Sequence, residues 1–286
     1  MIINRDSHPL RLIRSKIKTD HFWLYLVYRE LRFHLRTIYL KPILRIMRPD
    51  YPVQIIKLGG DHGWSLGHRS YLESSTIISA GLGQDASFDI EYLNKYDARV
   101  ILIDPTPTSI DHFQDIVLNF GSPKRTNYVA GGGQPTDSYD LSKVNGANLK
   151  LVCKALYNND TEVKFYVPKT KGYNSYSVSN IFKTDRYISV QAVTLNKLLL
   201  DLEIESRSIV LVKLDIEGSA CEVLLDFLGK PCLPRQILVE FEEVFVFSFS
   251  NAKKLMKTFS LLQSYGYKMI HTDKTANFTF ELNGRF

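Results

Sequence analysis

From residue 55 onward, short apolar runs rich in β-branched residues alternate with stretches whose apolar positions recur at helical spacing. Thr76–Ala80 predicts a buried strand that ends in Gly81-Leu82-Gly83, and Phe88–Tyr96 predicts the helix after it. Val100–Ile103 is a second strand, closed by Asp104-Pro105, and Ile110–Phe120 a second helix, capped by Ser109 and stopped at Gly121. Further strands are expected at Leu149–Leu156, Val163–Val167 and Val190–Thr194. Ile209–Leu214 is the most continuous apolar strand, and Ile237–Val239 another, with a helix between them over Cys221–Leu228. A helical stretch at Asn251–Tyr265 is broken by Gly266, and Tyr267–His271 with Phe278–Leu282 then read as a closing antiparallel pair. Apolar strands alternating with helices predict an α/β fold, a mostly parallel sheet of seven strands covered by helices on both faces. Gly121–Asn148 and Pro168–Asp185 break the rhythm, and loops of that length are usually functional or mobile.

Ahead of this domain (residues 51–286) lies an arm of different character. Residues 1–50 hold eleven Lys/Arg against four Asp/Glu, a net of +7, whereas the rest hold 25 against 26. All the excess basicity sits in the arm, so the overall +6 does not make the domain a nucleic-acid binder. Phe22–Tyr28 is apolar, but Arg29, Glu30, Arg32 and Arg36 interrupt the next turns of chain, and a membrane span needs roughly 20 apolar residues. The expectation is a basic helical arm ending near Pro42 or Pro49, packed on its own domain or on a second subunit. The alternative is that it lies in anionic headgroups at a membrane's inner face. Cys153, Cys221 and Cys232 are too few and scattered for a disulfide framework, which predicts a reduced, cytoplasmic protein.

Two features mark a nucleoside-type ligand at the carboxyl edge of the sheet. Gly81 and Gly83 let the backbone turn tightly between strand and helix. Asp104, 23 positions after Gly81 and at the tip of the next strand, is placed to accept hydrogen bonds from ribose hydroxyls. A glycine turn serves NAD as well as S-adenosylmethionine, so these residues alone leave a Rossmann oxidoreductase open.

Longer motifs distinguish the two. Lys213-Leu214-Asp215-Ile216-Glu217-Gly218, framed by Val193–Leu198, Leu224-Leu225 and Leu238–Phe241, resembles the signature of the FkbM-family methyltransferases. Ser79–Asp89 followed by Asp104-Pro105-Thr106-Pro107 is similar to a pattern of one branch of that family. The resemblance implies a class I, Rossmann-like fold and O-methylation by S-adenosylmethionine of a hydroxyl, on a sugar of a glycan or a secondary metabolite. It implies donor contacts at Gly81, Gly83, Asp85 and Asp104, adenine contacts near Ala155 and Leu156, and an acceptor side at Asp215 and Glu217. Gln84 stands where an acid is common, and Ala220 where a second acid is usual, a role that passes to Glu222 if it is kept.

A hydroxyl must lose its proton to attack, which needs a base or a metal. Asp215 is the expected base and Glu217 the group orienting the acceptor, unless Glu217 only caps the following helix. Glu240 and Glu242, on one face of the fifth strand's end, are candidates to join Asp215 around a divalent cation, a lesser alternative to a metal-free site. His62, in a loop expected before the first strand, and Tyr173 and Tyr176, in the long polar loop, are candidates for the acceptor pocket. A non-catalytic adaptor retaining the fold and using the arm to reach a membrane is the reading from another class.

Overall fold

The computed structural model describes residues 22–167, 176–178, 184–230, 233–245 and 248–283. The arm forms α1 (Phe22–Thr37), a 3-10 turn and α2 (Lys41–Ile46). A hairpin follows, β1 (Ile55–Leu58) and β2 (Trp64–Gly67), then β3 (Thr76–Ala80), α3 (Ser87–Tyr96), β4 (Arg99–Ile103) and α4 (Pro107–Leu118). Next come β5 (Leu149–Val152), β6 (Ala155–Leu156), β7 (Glu162–Tyr166), β8 (Tyr187–Val193) and α5 (Leu195–Asp201). The chain ends with β9 (Ile209–Leu214), α6 (Ala220–Phe227), β10 (Gln236–Glu240), α7 (Phe249–Ser264), β11 (Tyr267–Thr272) and β12 (Asn277–Leu282).

Seven strands make the main sheet, in the order β11-β12-β10-β9-β3-β4-β5. The five from β10 to β5 run parallel, and β12 joins antiparallel to both β10 and β11. Successive residues of each strand feed opposite cores, as a period of two requires. Ile78, Ile101, Val212 and Ile237 face one core with α5, α6 and α7, whereas Ile77, Val100, Leu211 and Leu238 face the other with α3 and the β1–β2 hairpin. That double burial is why the strands read as near-continuous apolar runs.

Three expectations change. The predicted strand at 149–156 is two strands: β5 belongs to the main sheet, and β6 pairs with β8 in a side sheet of order β6-β8-β7. The runs at 163–167 and 190–194 form that side sheet, which explains their alternation of half-buried and exposed positions. The second helix begins at Pro107 with Thr106 as its N-cap, because proline's fixed φ suits the first helical position; Ser109 lies inside, bonded to Thr106 through their hydroxyls at 2.6 Å.

The arm is continuous with the domain. Phe33, Leu40 and Met47 are buried in the core shared with α6 and α7. Lys274 Nζ pairs with Glu30 at 2.6 Å, and the Met269 amide donates to the Met47 carbonyl at 2.8 Å. Among the described residues no helix is long and apolar enough to cross a membrane.

Candidate active site

Strand register sets the site. Ala80 is paired with Ile103 on one side and Leu214 on the other, and Leu214 with Val239. The next residues, Gly81, Asp104, Asp215 and Glu240, therefore fall in one row along the carboxyl edge of the parallel sheet, where ligands of such folds bind. They line a cleft of about 540 Å³, within the usual range of roughly 300–1,000 Å³ for small-molecule and cofactor pockets.

The turn after β3 is shaped by its neighbours. Gly81 has φ +90°, and a Cβ there would lie 1.9 Å from the Asp215 carbonyl oxygen, so only glycine lets β3 and β9 end this close together. Gly83, at φ +56°, is different: a Cβ would meet nothing within 4 Å, so its bare backbone faces open cleft. Asp104 holds the turn in place. Its Oδ2 accepts the amides of Leu82 at 3.0 Å and Gly83 at 3.1 Å, and its Oδ1 accepts the Thr106 amide and hydroxyl at 2.9 and 2.7 Å. Four donors fill a carboxylate's acceptor positions, so this acid shapes the backbone before it touches any ligand. Asp85 Oδ1 accepts the Ser87 amide at 2.9 Å, while its Oδ2 is buried without a protein partner. Ala155 and Leu156, both buried, supply an apolar wall.

The other half of the cleft is acidic. Burial, reinforced by Asp215 as a charged and hydrogen-bonded neighbour, raises the Glu240 carboxyl well above the usual range. Burial and a hydrogen bond to Glu217 push Glu242 up to about 10. Near neutral pH Glu242 keeps its proton and shares it with Glu217, while Glu240 faces Asp215. Among the described residues no group of three or more His, Cys, Asp or Glu side chains is arranged to hold a metal ion. Glu222, the sequence's substitute for a missing acid at Ala220, instead turns to Lys254 at 2.6 Å.

His62 lines the cleft from the turn joining β1 to β2, ahead of the strand at 76–80 as expected, within a hairpin the sequence reading did not include. Tyr176 lines it as well: the adjacent Ser177 exchanges backbone hydrogen bonds with Tyr166, and its hydroxyl donates to the Glu217 carbonyl at 2.9 Å. Tyr173 lies outside the described residues. The cleft thus collects Gly81, Gly83, Asp85, Asp104, Ala155, Leu156, His62, Tyr176, Asp215, Glu217 and Glu240.

Sequence reasoning passed over Lys213, Trp64 and Phe165. Lys213 is 3% exposed; its ammonium donates to the Gly81 carbonyl at 2.9 Å, lies 3.8 Å from Asp215 Oδ2 and sits 5.4 Å from the Trp64 ring centroid. A lysine inside an otherwise apolar buried strand was the available signal.

The fold is a Rossmann-like α/β fold, and the sequence matches the methyltransferase FkbM domain over residues 78–269, more than half of the 286. The chain belongs to the FkbM methyltransferase family. A search of curated proteins finds no match. Among solved structures it is similar to a Methanococcus jannaschii fibrillarin, a pre-rRNA processing protein, at 11% identity and a TM-score of 0.34, covering 83% of this chain and 86% of that one. So loose a superposition carries no weight, and the assignment rests on the family match.

Proposed function

We propose that this methyltransferase takes its methyl group from S-adenosylmethionine and places it on a hydroxyl, of a sugar in a glycan or of a secondary metabolite. One observation carries the reading: a glycine turn with open space above it and the carboxyl groups of Asp215, Glu217 and Glu240 line a single cleft. The donor brings a methyl group already activated on a cationic sulfur, so the protein has to align an oxygen and remove its proton.

On the donor side, the Gly83 backbone permits close approach and Asp85 Oδ2 is an acceptor for the ligand's ammonium group. Ala155 and Leu156 receive the flat adenine ring, and Asp104 keeps the turn in register. On the acceptor side, Asp215 takes the hydroxyl proton. Glu240 faces Asp215 from the neighbouring strand and the Lys213 ammonium stands 3.8 Å from its Oδ2, so the two flank it and fix its orientation. Glu217, held the same way by Glu242, orients the acceptor. Trp64, Phe165 and Tyr176 give aromatic faces suited to the C–H face of a sugar ring, with His62 at the rim.

The test is Asp215→Asn, which keeps shape and removes the base. Transfer of labelled methyl to a panel of sugar and alcohol acceptors should fall by roughly 10²–10⁴, while S-adenosylhomocysteine affinity changes little. Full turnover in the folded variant removes Asp215 as base, and transfer to amines or carboxylates alone would replace hydroxyl chemistry.

A further inference from the structure

We infer that the outward face of α1 is a docking surface for an anionic lipid bilayer. The helix is apolar on two sides. Phe33 and Thr37 are buried against the domain, whereas Trp23, Val27, Leu31 and Leu35, spaced four apart, are 64%, 57%, 57% and 61% exposed. Tyr28 and Ile38 widen this stripe, at 53% exposure each. At 100° per residue the five within α1 fall on one side of the helix, Ile38 follows in the 3-10 turn, and the side chain placed among the five that is not apolar is His34. A contiguous exposed apolar face of this kind marks an interaction site rather than ordinary surface.

Charge selects the occupant. Residues 22–48 hold six Lys/Arg and one acid, Glu30, which is paired to Lys274. Lys41, Arg45 and Arg48 are exposed at the end of the arm. Lys253 and Lys257 of α7, also exposed, share a shallow recess with Tyr39, the residue after Ile38. An apolar stripe with Lys41, Arg45, Arg48, Lys253 and Lys257 exposed around its carboxyl-terminal end fits a surface that is negative outside and apolar beneath, which is an anionic bilayer. A second copy of the chain would bring the same cations together across a two-fold axis. A nucleic acid would match the charge and leave Trp23, Val27, Leu31, Leu35 and Ile38 in water.

Deleting the arm is the wrong test, because Phe33, Leu40 and Met47 belong to the core. The full chain is instead co-sedimented with vesicles of phosphatidylcholine, with and without phosphatidylglycerol, beside a Leu31→Gln/Leu35→Gln variant whose melting temperature should be unchanged. Binding is expected only to the anionic vesicles and should weaken as salt screens the charges. The double variant should bind at least about tenfold more weakly. The inference is overturned if the protein stays in the supernatant at low salt or binds both vesicle types alike. It is equally overturned if the double variant binds as well as the parent, or if light scattering finds a dimer that the variant converts to monomer.

Discussion

The two ends of the β10–β12 strand pair bury acids in opposite ways. At the amino edge Gln236 stands opposite Glu281; at the carboxyl edge Glu240 stands opposite Asn277. Glu281 is 5% exposed, yet Arg69 grips both its oxygens at 2.8 and 2.9 Å, and Tyr71 and Tyr51 donate to them at 2.8 and 3.0 Å. Burial pushes its pKa up, but these donors outweigh burial and hold the carboxyl below its ordinary range. Glu240 and Glu242 have acids for neighbours instead, and burial raises both. The first end is built as a fastening, the second as a cluster of acids at a cleft, and perturbed acids in a cleft are a mark of function.

Breaking the fastening should have the largest effect on stability. Arg69→Ala leaves Glu281 buried without its counter-charge, which should cost about 3 kcal/mol, read as a lower urea midpoint with an unchanged slope. An Arg69→Ala protein as stable as the parent would reduce this end to one more surface pair.

The pH dependence of the two ends has opposite signs. The folded pKa of Glu281 lies below its unfolded value, so its contribution is complete above the unfolded pKa and is lost as acid titrates it. The folded pKa of Glu242 lies above its unfolded value, so its contribution is complete in acid and is lost as pH rises toward about 10. Glu242→Gln removes that loss. Between about pH 6 and about pH 9 the variant should hold its stability better than the parent by about 1 kcal/mol or more. Parallel stability curves would show that Glu242 ionises as readily in the folded chain as in the unfolded one.

Much of this was legible in the sequence. Strand ends are marked by Gly81, Asp104 and Asp215 because apolar runs stop there and residues with special backbone or charge begin. The lateral row they form depends on register, which periodicity does not contain. Motif resemblance supplied the grouping that register later explained. The side sheet was misplaced because an apolar run at 149–156 does not announce that it changes sheets after Val152. Lys213 was missed because its role depends on reaching across to the Gly81 carbonyl on a neighbouring strand. The upward pKa shifts of Glu240 and Glu242 arise from burial at the end of β10, which sequence spacing alone does not show.

The central claim is that the donor sits above the glycine turn, and Gly83 offers the most direct access to it. Asparagine tolerates the left-handed backbone that Gly83 adopts, and its side chain would project into space that is open in the folded chain. Calorimetric titration with S-adenosylhomocysteine should therefore give one site per chain for the parent. For a Gly83→Asn variant of unchanged melting temperature the affinity should be lower by about tenfold or more, the weight of roughly 1.4 kcal/mol of steric exclusion. No heat of binding in the parent, or equal affinity in the two proteins, would contradict the account.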